Sequence, residues 1–130
     1  MTTSLLDGGG KSLWVKSKDL AASGKPFTGQ ITSVTERDFV PFNKTQPEKF
    51  PSGDIRRELL YNVDVNGTQW VLPVKESTDL HRKLKGASVK VDRTLGEIVG
   101  LTITVTHIGR GEPVGGDPDK AAHLHEVELS

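Results

Sequence analysis

Alternating apolar and polar residues predict that β-strands make up most of this chain. Residues 101–106 alternate without a break, with the apolar side chains at the odd positions, as expected for a half-buried strand. Residues 27–35 also alternate until Val34 breaks the pattern, which predicts a bulge or a strong bend at that point. Residues 122–129 form the last predicted strand.

The strongest local signal is a β-hairpin. Residues 58–65 and 68–75 alternate on either side of an Asn-Gly pair, which favours a two-residue type I′ turn. That turn fixes which residues face each other. The expected pairs on the core face are Val65–Thr68, Val63–Trp70, Tyr61–Leu72 and Leu59–Val74. On the opposite face they are Asp64–Gln69, Asn62–Val71, Leu60–Pro73 and Glu58–Lys75, and the last is a predicted ion pair.

One short helix is predicted after the hairpin. Ser77 or Thr78 can cap its N-terminus, Leu80 and Leu84 lie four residues apart, and Gly86 suits its end. Residues 87–99 combine strand-like and helix-like features, and both alternatives remain open for them.

The order of these elements predicts the fold class. Short connections between strands favour antiparallel pairing, and five strands with a helix between the third and fourth are typical of the OB-fold. We therefore expect a mainly β protein, a five-stranded OB-fold-like antiparallel barrel that occupies residues 13–130. Residues 1–12 contain three consecutive glycines and are expected to form a flexible tail.

Composition excludes several classes of protein. The 130 residues include 17 basic, 17 acidic and no cysteine residues, which excludes disulfides, thiolate nucleophiles and Cys-based zinc sites. No stretch approaches the roughly 20 apolar residues of a membrane-spanning helix, so no membrane association is expected. The first residues lack the pattern of a secretory signal, which makes the cytoplasm the expected location, or the host cytoplasm for a viral protein.

Two long loops, residues 37–56 and 109–120, carry most of the candidate binding residues. Loops of this length in small domains are usually functional or disordered, and residues 11–57 hold nine basic against five acidic side chains. Single-stranded nucleic acids are bound by cations along the backbone and by flat rings beneath the bases. The candidates are Arg37, Lys44, Lys49, Arg56, Arg57, Lys75 and Arg110 for phosphates, and Trp14, Phe39, Phe42 and Phe50 for bases.

Other chemistry has weaker support. Residues 8–12 form only half of a phosphate-binding loop. His123 and His125 point to the same side of a strand and could share a metal ion with His107 or His81, although exposed strand histidines are the simpler interpretation. No nucleophile-elbow pattern occurs. We therefore expect no enzymatic activity, no cofactor and no metal.

This arrangement resembles the small OB-fold single-stranded DNA-binding proteins of bacteriophages, especially those of actinobacterial hosts. The resemblance covers about residues 25–130. It depends on residues 27–31 (Phe-Thr-Gly-Gln-Ile), the hairpin, residues 101–111 with their Gly-Arg-Gly end, and residues 125–129 (His-Glu-Val-Glu-Leu). In that family the loop between the first two strands and the loop between the last two line a groove for the DNA.

The resemblance implies a function for this chain. Residues 37–57 and 109–120 are expected to lie side by side and to bind single-stranded DNA or RNA, in phage DNA replication or recombination. The long acidic C-terminal tail of the bacterial type does not occur in this sequence, so recruitment of partners through such a tail is not implied.

A second function of another class remains open. A neutral net charge and the acidic residues on the outer face of the hairpin, Glu58 and Asp64, disfavour phosphate binding. The alternative is an OB-like protein-interaction or virion structural module, whose loops would contact other subunits and which could form a homo-oligomer.

Overall fold

The computed structural model describes residues 13–41, 43–112, 115 and 121–130. The predicted tail, Phe42 and most of the 109–120 loop lie outside these residues. The described chain forms β1 (Leu13–Trp14), α1 (Ser17–Ser23), β2 (Phe27–Asp38), β3 (Arg57–Val65), β4 (Thr68–Lys75), α2 (Asp79–Lys90), β5 (Thr102–Arg110) and β6 (His123–Leu129).

All six of these strands belong to one curled sheet that resembles half of a barrel, in the order β1-β4-β3-β2-β5-β6. The prediction of a mainly β protein is confirmed. Within the described ranges, neither helix is long and apolar enough to cross a membrane.

The strand count and the position of the helix differ from the prediction. Leu13 and Trp14 form an additional strand that pairs in parallel with β4, so α2 follows the fourth strand instead of the third. The short helix α1 was not predicted either, because Leu20 is the single buried residue in its seven positions. One apolar residue produces no helical periodicity that a sequence pattern could reveal.

The hairpin of β3 and β4 has the predicted register at all eight pairs. Asn66 and Gly67 have positive φ angles of 53° and 89°, as a type I′ turn requires. Tyr61 and Leu72 face each other in the core and are almost completely buried. The turn chemistry and the alternation of residues were therefore sufficient to predict this unit.

The long strand β2 is shared by two parts of the sheet. Its first residues pair with β5 and its later residues pair with β3. The register shifts between Ile31 and Ser33, so the bulge lies at Thr32 and not at Val34 as predicted. Because the extra residue resets the alternation, Val34 lies opposite Tyr61 and packs against the core.

Helix α2 begins as predicted but ends later. Thr78 is its N-cap, and the Thr78 hydroxyl accepts a hydrogen bond from the backbone N–H of His81. The predicted end at Gly86 is wrong, because the helix continues to Lys90 and buries Ala87. Residues 91–100 then form turns that lead into β5, and the Tyr61 hydroxyl donates to the carbonyl of Leu95 at 2.7 Å.

Candidate nucleic-acid interface

Three charged residues lie in a line across β2, β3 and β4. Arg37, Glu58 and Lys75 occupy facing positions on these neighbouring strands. Since side chains alternate between the two faces of a strand, all three belong to the outer face, opposite the core residue Leu59. The Arg37 Nε donates to the Glu58 carboxylate at 3.0 Å. The predicted Glu58–Lys75 ion pair is therefore replaced by an Arg37–Glu58 pair.

Aromatic rings lie against the cations of this face. The Arg37 guanidinium carbon is 5.7 Å from the centre of the Trp14 ring, and the Lys75 Nζ is 4.6 Å from the centre of the Phe39 ring. The Arg56 guanidinium carbon is 6.0 Å from Phe39 and 5.8 Å from Phe50. These distances are typical of cation–π contacts. We call the following six residues the ring–cation row: Trp14, Arg37, Lys75, Phe39, Arg56 and Phe50.

Backbone hydrogen bonds hold the described part of the loop of residues 39–56, which presents part of this row. The backbone N–H of Phe39 donates to the carbonyl of Arg56, and the N–H groups of Glu48 and Arg56 donate to the carbonyls of Phe39 and Glu48. The Arg56 side chain donates to the Glu48 carboxylate at 2.7 Å and to the Glu76 carbonyl at 2.9 Å. Arg56 therefore holds the base of the loop, and Phe39 and Phe50 pack beside it half-buried.

Most candidate arginines already have a carboxylate partner. Arg37 pairs with Glu58, Arg56 with Glu48, and Arg57 with both Glu36 and Asp38. No local pattern in the sequence connects these arginines with their carboxylates. Arg37 and Glu58 are 21 residues apart, and Arg57 and Asp38 are 19 apart. Only the register of β2 against β3 brings them together.

The loop of residues 39–56 also carries two lysines, which differ from the arginines in their exposure and in their ion pairing. Lys44 and Lys49 are exposed, and within residues 13–41 and 43–112 neither takes part in an ion pair. Because no described carboxylate pairs with them, their ammonium groups are available for an external anion.

Arg110 lies apart from the ring–cation row. Phe27, the first residue of β2, faces Val105 of the antiparallel strand β5, so Arg110 extends beyond that end of β2. The loop of residues 39–56 begins at the other end. The two loops thus begin at opposite ends of β2. Most of the loop of residues 109–120 lies outside the described residues, so the expectation that the two loops lie side by side stays a prediction. The Arg110 guanidinium donates to the carbonyl of Ala121, with Nε at 3.0 Å and Nη2 at 2.6 Å.

The histidines form a cluster on the core side of β5 and β6. His107 faces His125, and His107 Nε2 lies 2.9 Å from His123 Nδ1. His125 is 2% exposed, so the interpretation as an exposed strand histidine is wrong for this residue. His81 lies elsewhere, on α2, where its Nδ1 accepts from the backbone N–H of Ser77. In the described part of the chain, no group of three potential ligands is placed to hold a metal ion.

Comparisons with protein families, with curated proteins and with solved structures found no match to this chain. The case for a function therefore depends on the arrangement of its own side chains.

Proposed function

We propose that this protein binds single-stranded nucleic acid, with single-stranded DNA as the preferred ligand. The interface is the outer face of β3 and β4 together with the loop of residues 39–56. The ring–cation row is the observation that supports this proposal most strongly. Proteins that bind single strands without reading their sequence combine rings for the bases with cations for the phosphates, and this row contains both.

The order of the strands supports an OB-type barrel. Strand β2 pairs with both β3 and β5, β3 pairs with β4, and β5 pairs with β6. If β2 is the first OB strand, then β3 and β4 are the second and third, and α2 follows the third as in that fold. OB-folds bind oligonucleotides on the face of these two strands and with the loop that precedes them. Lys75 of the ring–cation row lies on that face, and Phe39, Arg56 and Phe50 lie in that loop. Trp14 and Arg37 lie beside them on β1 and β2.

The ion pairs reduce the number of cations that can bind phosphates, and this number determines how strongly binding depends on salt. Each phosphate contacted by a cation contributes about −0.7 to the slope of log affinity against log salt for a single strand. Lys44 and Lys49 are the candidate cations without a carboxylate partner in the loop. We expect a slope of about −1 to −2, smaller than that of a strongly basic protein.

Fluorescence anisotropy with a labelled oligo-dT and with duplex DNA of the same length tests the proposal. The wild-type protein is expected to bind the single strand more tightly than the duplex. The double variant Lys44→Gln/Lys49→Gln should bind the single strand several-fold more weakly and with a smaller salt slope. Lys85→Gln/Lys90→Gln removes two lysines of α2 and is the matched control, which should bind like the wild type.

A second titration tests base stacking. Trp14 is 37% exposed, and its replacement in Trp14→Ala should cost about 1–3 kcal/mol of binding free energy if a base stacks there. Val89→Ala removes an apolar side chain of α2 that is 73% exposed and should have no effect. An anisotropy signal that stays flat with oligo-dT at low salt would contradict the proposed function.

One observation favours the alternative of a protein-interaction or virion structural module. The arginines of the interface are paired with carboxylates, and Val40 and Ile55, at the two ends of the same loop, are 43% and 40% exposed. Exposed apolar side chains beside arginines whose charge is already compensated suit contact with another protein subunit. Light scattering distinguishes the two functions, since a stable homo-oligomer without affinity for oligo-dT supports the alternative.

A role of this protein in phage DNA replication or recombination stays a prediction.

A further inference from the structure

A line of hydrogen bonds joins three residues from separate elements on the core side of the sheet. Ser17 is the first residue of α1, Asp79 is the first residue of α2, and His125 lies in β6. Ser17 Oγ is 2.8 Å from His125 Nε2, and His125 Nδ1 is 3.3 Å from Asp79 Oδ2. The two nitrogens of the histidine thus contact a hydroxyl on one side and a carboxylate on the other.

The chemistry of these groups determines where the protons lie. An ionised carboxylate can only accept hydrogen bonds, so the proton of a neutral His125 must be on Nδ1. Its Nε2 then carries a lone pair and accepts from the Ser17 hydroxyl. The His125 backbone N–H also donates to Asp79 Oδ2, at 2.7 Å, which fixes the carboxylate relative to the ring.

The surrounding groups keep this protonation state. Burial lowers the pKa of His125, and the hydrogen bond and charge of Asp79 offset this only in part. Burial acts to raise the pKa of Asp79, but its bonds from His125 and the charge of Lys83 outweigh burial and hold that pKa below its usual range. His107 lies 5.7 Å from His125 between ring centres, with His123 next to it. At neutral pH the histidine is therefore a free base, and the aspartate is ionised.

We propose that Ser17 is a nucleophile activated by His125 and that it transfers acyl groups from esters to water. Ser17 is half-buried, whereas His125 is 2% exposed, so a substrate would approach from the serine end of the line. The same order of serine, histidine and carboxylate activates serines on unrelated folds.

The reaction needs only the ester and water. The Ser17 oxygen bonds to the ester carbonyl carbon while its proton passes to His125 Nε2, and that proton then leaves with the alcohol when the carbon–oxygen bond breaks. A water molecule attacks the acyl group of the resulting acyl-serine. His125 takes one proton of this water and returns it to the Ser17 oxygen, which releases a carboxylic acid.

This activity goes beyond the proposed binding function, and it differs from the sequence-based expectation of no enzymatic activity. That expectation depended on local motifs such as the nucleophile elbow. Ser17 and His125 are 108 residues apart, and Asp79 and His125 are 46 apart. A line of residues assembled from three distant segments leaves no local motif in the sequence.

A fluorophosphonate probe tests the proposal directly on the full chain. The serine oxygen displaces fluoride from phosphorus, and mass spectrometry of the digested protein identifies the modified residue. The folded wild-type protein is expected to be modified at Ser17, and Ser17→Ala should lose this adduct. Ser23→Ala is the matched control in the same helix, since the Ser23 hydroxyl donates to the carbonyl of Leu20. It should leave labelling at Ser17 unchanged.

Two further measurements separate a nucleophile from a serine that only completes a buried polar network. The labelling rate of the wild type should fall on acidification as His125 becomes protonated, with its midpoint below the usual histidine range. Asp79→Asn should slow labelling by up to about 10⁴-fold if the aspartate sets the tautomer. The proposal is overturned if the folded protein gives no Ser17 adduct, or if the rate of labelling does not depend on pH. It is also overturned if a folded Asp79→Asn variant reacts like the wild type.

Discussion

Two glycines of this protein differ in the space around them, so a side chain would have opposite effects at the two positions. A β-carbon at Gly29 would lie 2.6 Å from the carbonyl oxygen of Asp64 and 2.6 Å from a methyl group of Val63. Gly29 therefore lets β2 approach β3 closely where the sheet curls. Gly86 has open space around its Cα and lies inside α2, where glycine is a poor helix former.

This difference predicts opposite effects of the same substitution. Gly29→Ala should lower the free energy of unfolding by about 1–3 kcal/mol, since the new methyl group overpacks the contact with β3. Gly86→Ala should raise it by about 0.5–1 kcal/mol, because alanine favours the helix. Urea unfolding followed by tryptophan fluorescence measures both. Equal effects of the two substitutions would contradict this interpretation of the sheet contact.

The candidate binding residues show what sequence reasoning can and cannot do at this scale. Six of its eleven candidates lie together in the ring–cation row. It did not pair Glu48 with Arg56 or Glu58 with Arg37, because nothing local in the sequence connects these residues. The charge that remains available to a ligand depends on these partners, and strand register determines them.

Helix α2 shows that the sequence predicts the start of an element better than its end. The sequence allowed Ser77 or Thr78 as its cap, and the structure assigns this role to Thr78. Ser77 has a positive φ angle of 66°, and its backbone N–H donates to His81 Nδ1. The start of the helix was predictable because capping is local. Its end was not, because the helix continues past Gly86 where tertiary packing buries Ala87 and Ser88.

A pair of variants tests the assignment of the cap. Thr78→Ala should lower the free energy of unfolding by about 1 kcal/mol, since the N–H of His81 loses the hydroxyl oxygen that accepts it. Ser77→Ala keeps this hydrogen bond and should have a smaller effect. Thermal unfolding followed by circular dichroism measures both variants. A larger loss of stability for Ser77→Ala than for Thr78→Ala would show that the cap is assigned wrongly.

The molecule as a whole places three histidines, His81, His123 and His125, where protonation opposes folding. Burial lowers the pKa of His81, His123 and His125 below that of an unfolded histidine. His123 and His125 lie where β6 meets its neighbours, so their environment exists only in the complete fold. Between the ordinary histidine pKa, about 6.5, and the lowered values, the unfolded chain binds more protons than the folded one.

This linkage predicts how stability depends on pH. The free energy of unfolding should be highest above about pH 6.5 and should fall as the pH decreases through the lowered histidine values. Asp79 has a lowered pKa as well, and its contribution is lost only at more acidic pH. Urea titrations at several pH values between 7.5 and 5 measure the effect. His123→Gln should reduce the dependence on pH, whereas a wild-type stability that stays constant over this range would contradict the prediction.

The sequence by itself determined the strands, the hairpin register and the start of α2. Each of these follows from the conformational preferences of residues that are neighbours in the chain, such as the Asn66–Gly67 turn. Only the tertiary structure decided the additional strand β1, the ion pairs of the arginines and the line from Ser17 to Asp79. Strand register and the packing of the helices bring these groups together from distant parts of the chain, and no local pattern in the sequence records such distances.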